Sequence, residues 1–178
     1  MNCISRNSIA SFILLTASLQ AETPAAPATA LTGKVAGNHR IAIADIRKNE
    51  ALVVSKDHEV TWSHQVKRPC DIQAMKNGNF LVAGLGTVVE VTPDGKTVWE
   101  YTPGKEVFSA VPLDNGNYLV NDPEEFRIIE LDKEKKVVRS ISTATENKNA
   151  HSHSRHIRKF SDGSYWVTLC GENRVNVY

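Results

Sequence analysis

Three stretches of this chain follow one pattern: NGNFLVAGL from Asn77, NGNYLVNDP from Asn115 and DGSYWVTLC from Asp162, with starts 38 and 47 residues apart. A second pattern interleaves with the first. VVSKDHEVTW ends at Trp62, VEVTPDGKTVW at Trp99 and IELDKEKKVVR at Arg139, at intervals of 37 and 40 residues. Asn-Gly and Asp-Gly tolerate the positive φ of tight hairpin turns, and here they separate β-branched or aromatic runs as hairpins require. No segment after the N-terminal apolar run shows 3.6-residue apolar spacing over ten or more positions, which a helical solenoid of the same period would need.

A period near forty with four short strand-like runs describes a β-propeller blade. The expected fold is therefore all-β, in four-stranded antiparallel blades. The second blade is read as Cys70 to Met75, Phe80 to Ala83, Val88 to Val91 and Thr97 to Tyr101. The third is Phe108 to Leu113, Tyr118 to Val120, Arg127 to Leu131 and Val137 to Ile141; the fourth is Arg155 to Phe160, Tyr165 to Leu169 and Arg174 to Tyr178. The first blade offers Ile41 to Asp45, Ala51 to Ser55 and Val60 to His64, without an innermost strand. This makes about three and a half blades, below the four to eight that close a ring. The expectation is an incomplete ring from a truncated chain or gene fragment, with assembly from several copies as the alternative.

The stretch EVTPDGKTVWEY resembles the tryptophan-docking repeat of quinoprotein-like propellers, in which a Gly-Lys turn precedes a Trp that packs between neighbouring blades. Trp62 and Trp99 hold that place, and Arg139 departs from it. The whole pattern, NGNFLVA included, is similar to the PQQ-like propellers that contain arylsulfotransferases, over roughly Asn38 to Tyr178. The resemblance implies innermost strands that line a central channel, with ligand sites at its mouth. It makes sulfuryl transfer through His and Arg conceivable, although the extended histidine motifs of those enzymes are not matched. No cofactor is expected, since quinone-dependent redox enzymes of this kind need a complete ring, a calcium-bound quinone and a longer sequence.

With 21 Lys and Arg against 20 Asp and Glu, no bulk charge draws the chain to nucleic acid or to an anionic membrane. Arg6, the apolar run Ile9 to Leu19 and Ala21 read as an export signal, cut after Ala21. The run is too short to span a bilayer, and an uncleaved anchor is the alternative. A lipoprotein is disfavoured because Cys3 precedes the apolar core. Residues 22–37 read as an Ala-, Pro- and Thr-rich linker, and 38–178 as the propeller domain. The expected location is periplasmic or extracellular, where Cys70 and Cys170 either pair or remain buried thiols.

HSHSRHIRKF, His151 to Phe160, holds three of the six histidines. Blade alignment sets His153 to His156 against Arg68 to Asp71 and Glu106 to Ser109, at the starts of innermost strands. If the chain is already extended at His151, alternation puts His151, His153 and Arg155 on one side. The expected mouth-facing set is thus His151, His153 and Arg155 with Arg68, Asp71, Glu106 and Ser109. His153 and Arg155 are the candidates for any catalysis, as acid–base and anion-holding groups. A metal site is disfavoured, for HxHxxH has neither carboxylate nor cysteine at close range. Two readings stay open beside catalysis: a mouth that binds a small anion, a carbohydrate or a protein, and a polar loop with no ligand. Asp122, Glu124 and Glu125 form an acidic loop without the interleaved glycine pattern of a calcium site.

Overall fold

A computed structural model describes residues 39–103 and 105–178; the expected signal and linker lie outside the described residues. Fourteen strands, β1 to β14, form four antiparallel sheets in chain order. The first sheet is β1 (Ile41–Asp45), β2 (Glu50–Val54) and β3 (Val60–Gln65). The second is β4 (Asp71–Ala74), β5 (Phe80–Gly84), β6 (Thr87–Val91) and β7 (Thr97–Tyr101). The third is β8 (Ala110–Pro112), β9 (Tyr118–Asp122), β10 (Arg127–Leu131) and β11 (Val137–Ser142). The fourth is β12 (Ser154–Lys159), β13 (Tyr165–Leu169) and β14 (Arg174–Val177). In each sheet neighbours in space are neighbours in sequence, and the first strands of the last three sheets contact one another in turn. These are the blades of a β-propeller.

Hairpin chemistry fixes the registers. The turns at Asn77, Asn115 and Asp162 place Gly78, Gly116 and Gly163 at φ between +85° and +89°, the left-handed region that costs glycine nothing sterically. The outer turn uses Gly95 in the second blade but Lys135 in the third, at φ +67°. Strand boundaries agree with the sequence reading to within two residues, including those of β8, which is only three residues long.

The apolar core lies between blades. Middle strands are covered on both faces, so FLVAG of β5 is buried from Leu81 to Gly84 and YLVND of β9 throughout. Outer strands face water, and β7 buries only Trp99. Three clusters result: Val53, Trp62 and Val82 between blades one and two; Leu81, Val88 and Leu131 between two and three; Leu119, Ile157 and Val167 between three and four. Both tryptophans also tie blades together by hydrogen bonds. Trp62 Nε1 donates to the Thr92 carbonyl at 3.1 Å and Trp99 Nε1 to the Lys133 carbonyl at 3.0 Å, each on the outer turn of the next blade. Arg139, in the corresponding place, lays its guanidinium 5.0 Å from the Tyr165 ring centre.

A polar lock repeats at two of these junctions. Asn77 and Asn79 of the second blade's first turn donate to Glu90 Oε1, and Tyr118 of the third blade donates to Glu90 Oε2. Asn115 and Asn117 donate to Glu130 Oε1, while Tyr165 and Lys159 of the fourth blade reach Glu130 Oε2. Burial works to raise both carboxyls, but the hydrogen bonds outweigh it and hold them below the usual carboxylate range. The same burial, with Glu90 beside it, pushes the Tyr118 phenol well up.

Candidate mouth site

The connections that lead into β4, β8 and β12 meet at one end of the propeller, and each is fixed by a neighbour. Arg68 sits at φ +44° with its N–H on Asn49 Oδ1 at 2.9 Å, so the first blade's turn holds it in place. The segment before β8 is stitched to the second blade: Gly86 N–H donates to the Lys105 carbonyl at 3.0 Å and Val107 N–H to the Gly84 carbonyl at 3.2 Å. Gly84 allows a close crossing there, for a Cβ would stand 2.6 Å from the Lys67 carbonyl oxygen.

The expected alternation requires a chain already extended at His151, and that condition is not met. Ala150–His153 form a single helical turn, α1, because the Asn149 side chain accepts the N–H groups of His151 and Ser152, as N-capping residues do. Helical geometry separates what strand alternation would unite. His151 turns outward, where its Nδ1 lies 2.8 Å from Glu106 Oε2. His153 turns inward and is 1% exposed, edge-on to Phe126 with ring centres 4.9 Å apart. Neither of its ring nitrogens finds a hydrogen-bond partner among the described residues. Burial pushes the His153 pKa down, against smaller opposing effects of the Thr143 backbone and Glu172; Lys148 adds to the lowering. The mouth thus has His151 but not His153.

The other expected residues fall into two groups. Arg68 Nη2 lies 3.4 Å from Glu106 Oε1, which makes an Arg68, Glu106, His151 chain across three connections. Arg155 lies over the Phe108 ring, 3.7 Å from its centre, and His151 meets that ring edge-on at 5.5 Å. Asp71 and Ser109 sit beneath as a closed pair: Ser109 Oγ donates to Asp71 Oδ2 and Gln73 Nε2 to Asp71 Oδ1, both at 2.7 Å. The bond between Ser109 and Asp71 joins the second blade to the third. A parallel bond, Asn121 Nδ2 to Ser154 Oγ at 2.7 Å, joins the third to the fourth.

Two members of the site were not singled out from sequence. Phe108 supplies the face on which Arg155 rests, and its signal was an aromatic two residues after Glu106 at the start of an inner strand. Cys70 is half-buried, with its thiol on the Arg68 carbonyl at 3.4 Å. Burial raises the thiol pKa, Glu106 adds to the rise, Arg68 and Arg155 oppose it, and Asp71 adds slightly. Cys70 and Cys170 are both free. In the acidic loop, Asp122 Oδ2 accepts from Arg127 at 2.9 Å, and Lys105 bridges Glu124 and Glu125.

No family model matches the chain, and no curated protein matches it. Solved structures do. A protein of unknown function from Bacteroides caccae superposes with a TM-score of 0.62 at 21% identity, over 80% of this chain and 58% of that one. Virginiamycin B lyase from Staphylococcus aureus superposes at 0.60 with 15% identity, over 78% and 51%. A candidate exported protein from Bacteroides fragilis superposes at 0.56 with 14% identity, over 75% and 43%. The chain spans about half the length of these structures, and at such identities the likeness is one of fold.

Proposed function

We propose that the chain belongs to an exported, PQQ-like propeller that binds a small anionic ligand at the mouth of its channel. The observation that carries this reading is that Arg68 and His151, from two different connections, both pair with one carboxylate, Glu106, while Arg155 lies on the ring of Phe108, two residues further on. Guanidinium groups suit such a place because their fixed fork of donors matches carboxylate, sulfate or phosphate. The expected export signal and the Bacteroides fragilis neighbour support the location.

Calorimetric titration with cyclohexanecarboxylate and with sulfate tests the reading. At least one should bind, and Arg155→Ala should weaken it about tenfold, the loss of one charge-assisted contact. Binding of neither these anions nor a sugar acid would remove the proposal.

The His151 and Glu106 pair favours a second reading. A carboxylate 2.8 Å from Nδ1 fixes the tautomer that leaves Nε2 able to take a proton, the arrangement of a general base. An arylsulfotransferase-like enzyme would use it with Arg155 holding the developing anion. An aryl sulfate donor and a phenol acceptor provide the assay, and transfer abolished by His151→Ala would establish catalysis. A protein-docking propeller would show neither binding of small anions nor turnover.

A further inference from the structure

The mouth residues use some of their bonding capacity and leave the rest unspent. Asp71 and Ser109 are partnered by each other and by Gln73, with each Asp71 oxygen accepting a bond. Glu106 is partnered only in part. Its Oε2 meets His151, whereas Oε1 is buried and finds no hydrogen-bond donor, Arg68 standing 3.4 Å away without bonding geometry. Arg155 spends only the face of its guanidinium, on Phe108. Its five N–H groups lie in the guanidinium plane, and no hydrogen bond or ion pair engages them among the described residues. The unspent capacity is therefore a flat fork of donors on the Phe108 ring and one buried acceptor on Glu106, two residues before that ring.

A plain anion answers only half of this. It would accept from Arg155 but give nothing to Glu106 Oε1, and the two negative charges would repel. A buried acceptor left without a donor costs about 1–3 kcal/mol, so a ligand that supplies a proton there gains selectivity as well as affinity. An ammonium group is a poor donor in this place, since the Arg68 guanidinium already stands 3.4 Å from Glu106 Oε1. A hydroxyl has the proton without the charge. We infer that the ligand of this mouth is a hydroxylated carboxylic acid, a uronic acid or similar hydroxy acid, with its carboxylate on Arg155 and a hydroxyl donating to Glu106. This rests on reading the mouth as an anion site.

Three probes with six-membered rings separate the elements: D-glucuronate carries both groups, D-glucose only hydroxyls, and cyclohexanecarboxylate only the carboxylate. Calorimetry should show glucuronate bound about tenfold or more tightly than either comparator. Arg155→Ala should bring glucuronate down to the level of glucose. Glu106→Ala should weaken glucuronate and strengthen cyclohexanecarboxylate, because it removes both the acceptor and the repulsion. Glu106→Gln, which alters the fold least, should move both in the same directions by less, and a melting curve on each variant secures the comparison. Cyclohexanecarboxylate binding as tightly as glucuronate would overturn this inference and leave the anion site standing. If neither acid binds, the anion site falls with it.

Discussion

Val53, Phe80 and Trp62 meet between the first and second blades; Glu90, Tyr118 and Trp99 hold the same places between the second and third. The rings stack alike, Trp62 on Phe80 at 4.3 Å and Trp99 on Tyr118 at 3.9 Å. What changes is one hydroxyl and one carboxylate, and they change together. Phenylalanine stands where the facing residue is Val53, and tyrosine where it is Glu90 or Glu130. A buried hydroxyl needs an acceptor and a buried carboxylate needs donors, so either partner alone would be worse than neither. The comparison teaches that the junctions are built as pairs, within a common aromatic frame.

The frame should matter most. Trp99→Ala should cost about 3–5 kcal/mol in urea unfolding, the usual loss for a buried aromatic, and Trp62→Ala should cost a similar amount. Arg139→Ala, at the corresponding place of the third blade, should cost under about 1 kcal/mol, as expected of a partly exposed cation over a ring. Equal losses at all three would show that the tryptophans do not act through burial.

The lock comes next. Tyr118→Phe strips Glu90 of a donor and should cost about 1–3 kcal/mol. Phe80→Tyr, opposite Val53, should cost a similar amount for a hydroxyl without an acceptor. Combining Tyr118→Phe with Glu90→Val, which rebuilds the apolar pair, should cost less than the sum of the two single changes. Strict additivity in that cycle would end the argument for paired design.

Acid should then discriminate between junctions. Glu90 and Glu130 titrate below their usual range when folded, so their contribution is present above the unfolded-state pKa near 4.5 and is lost as pH falls through the folded value. Replacing Glu90 and Tyr118 together should remove part of this loss. His153 acts higher on the scale. Its folded pKa lies below the unfolded value near 6.5, so stability is full above that value and falls as pH drops toward the folded one, while the unfolded chain takes the proton first. His153→Phe should flatten this upper part of the curve. Stability curves that stay parallel between pH 7 and 5 would show His153 to be accessible to protons in the native state.

The smallest effect belongs to the outer turns. Lys135 holds the left-handed conformation that Gly95 holds one blade earlier. Lys135→Gly should therefore stabilise by up to about 1 kcal/mol, relief of backbone strain less the entropy of glycine. A loss would mean that the Lys135 side chain contributes more than its backbone costs.

The blades were legible because hairpin dipeptides and two-faced apolar runs are local signals, and strand after strand falls where NGN, DGS and PDGK put it. The locks were legible only in part. Asn77, Glu90 and Tyr118 are far apart in sequence, and nothing local says that they meet. The alternation from His151 depended on an extended chain, and Asn149, whose side chain caps a turn, removes that condition and sends His153 the other way. An asparagine before a short polar stretch signals a cap or a loop equally well, and only the packing of Phe126 against His153 decides between them.

The way Arg68, Glu106 and His151 are held has a mechanical consequence. Arg68 is anchored on the first blade through Asn49, Glu106 is carried by backbone sewn to the second blade, and His151 rides on a turn between the third and fourth. Contacts of 3.4 and 2.8 Å span those anchors, and ion pairs and hydrogen bonds weaken quickly with distance. Any twist or spreading of one blade against the next is read out at the mouth. The cluster is in effect a strain gauge for the blades, and its contact distances record how truly they are aligned.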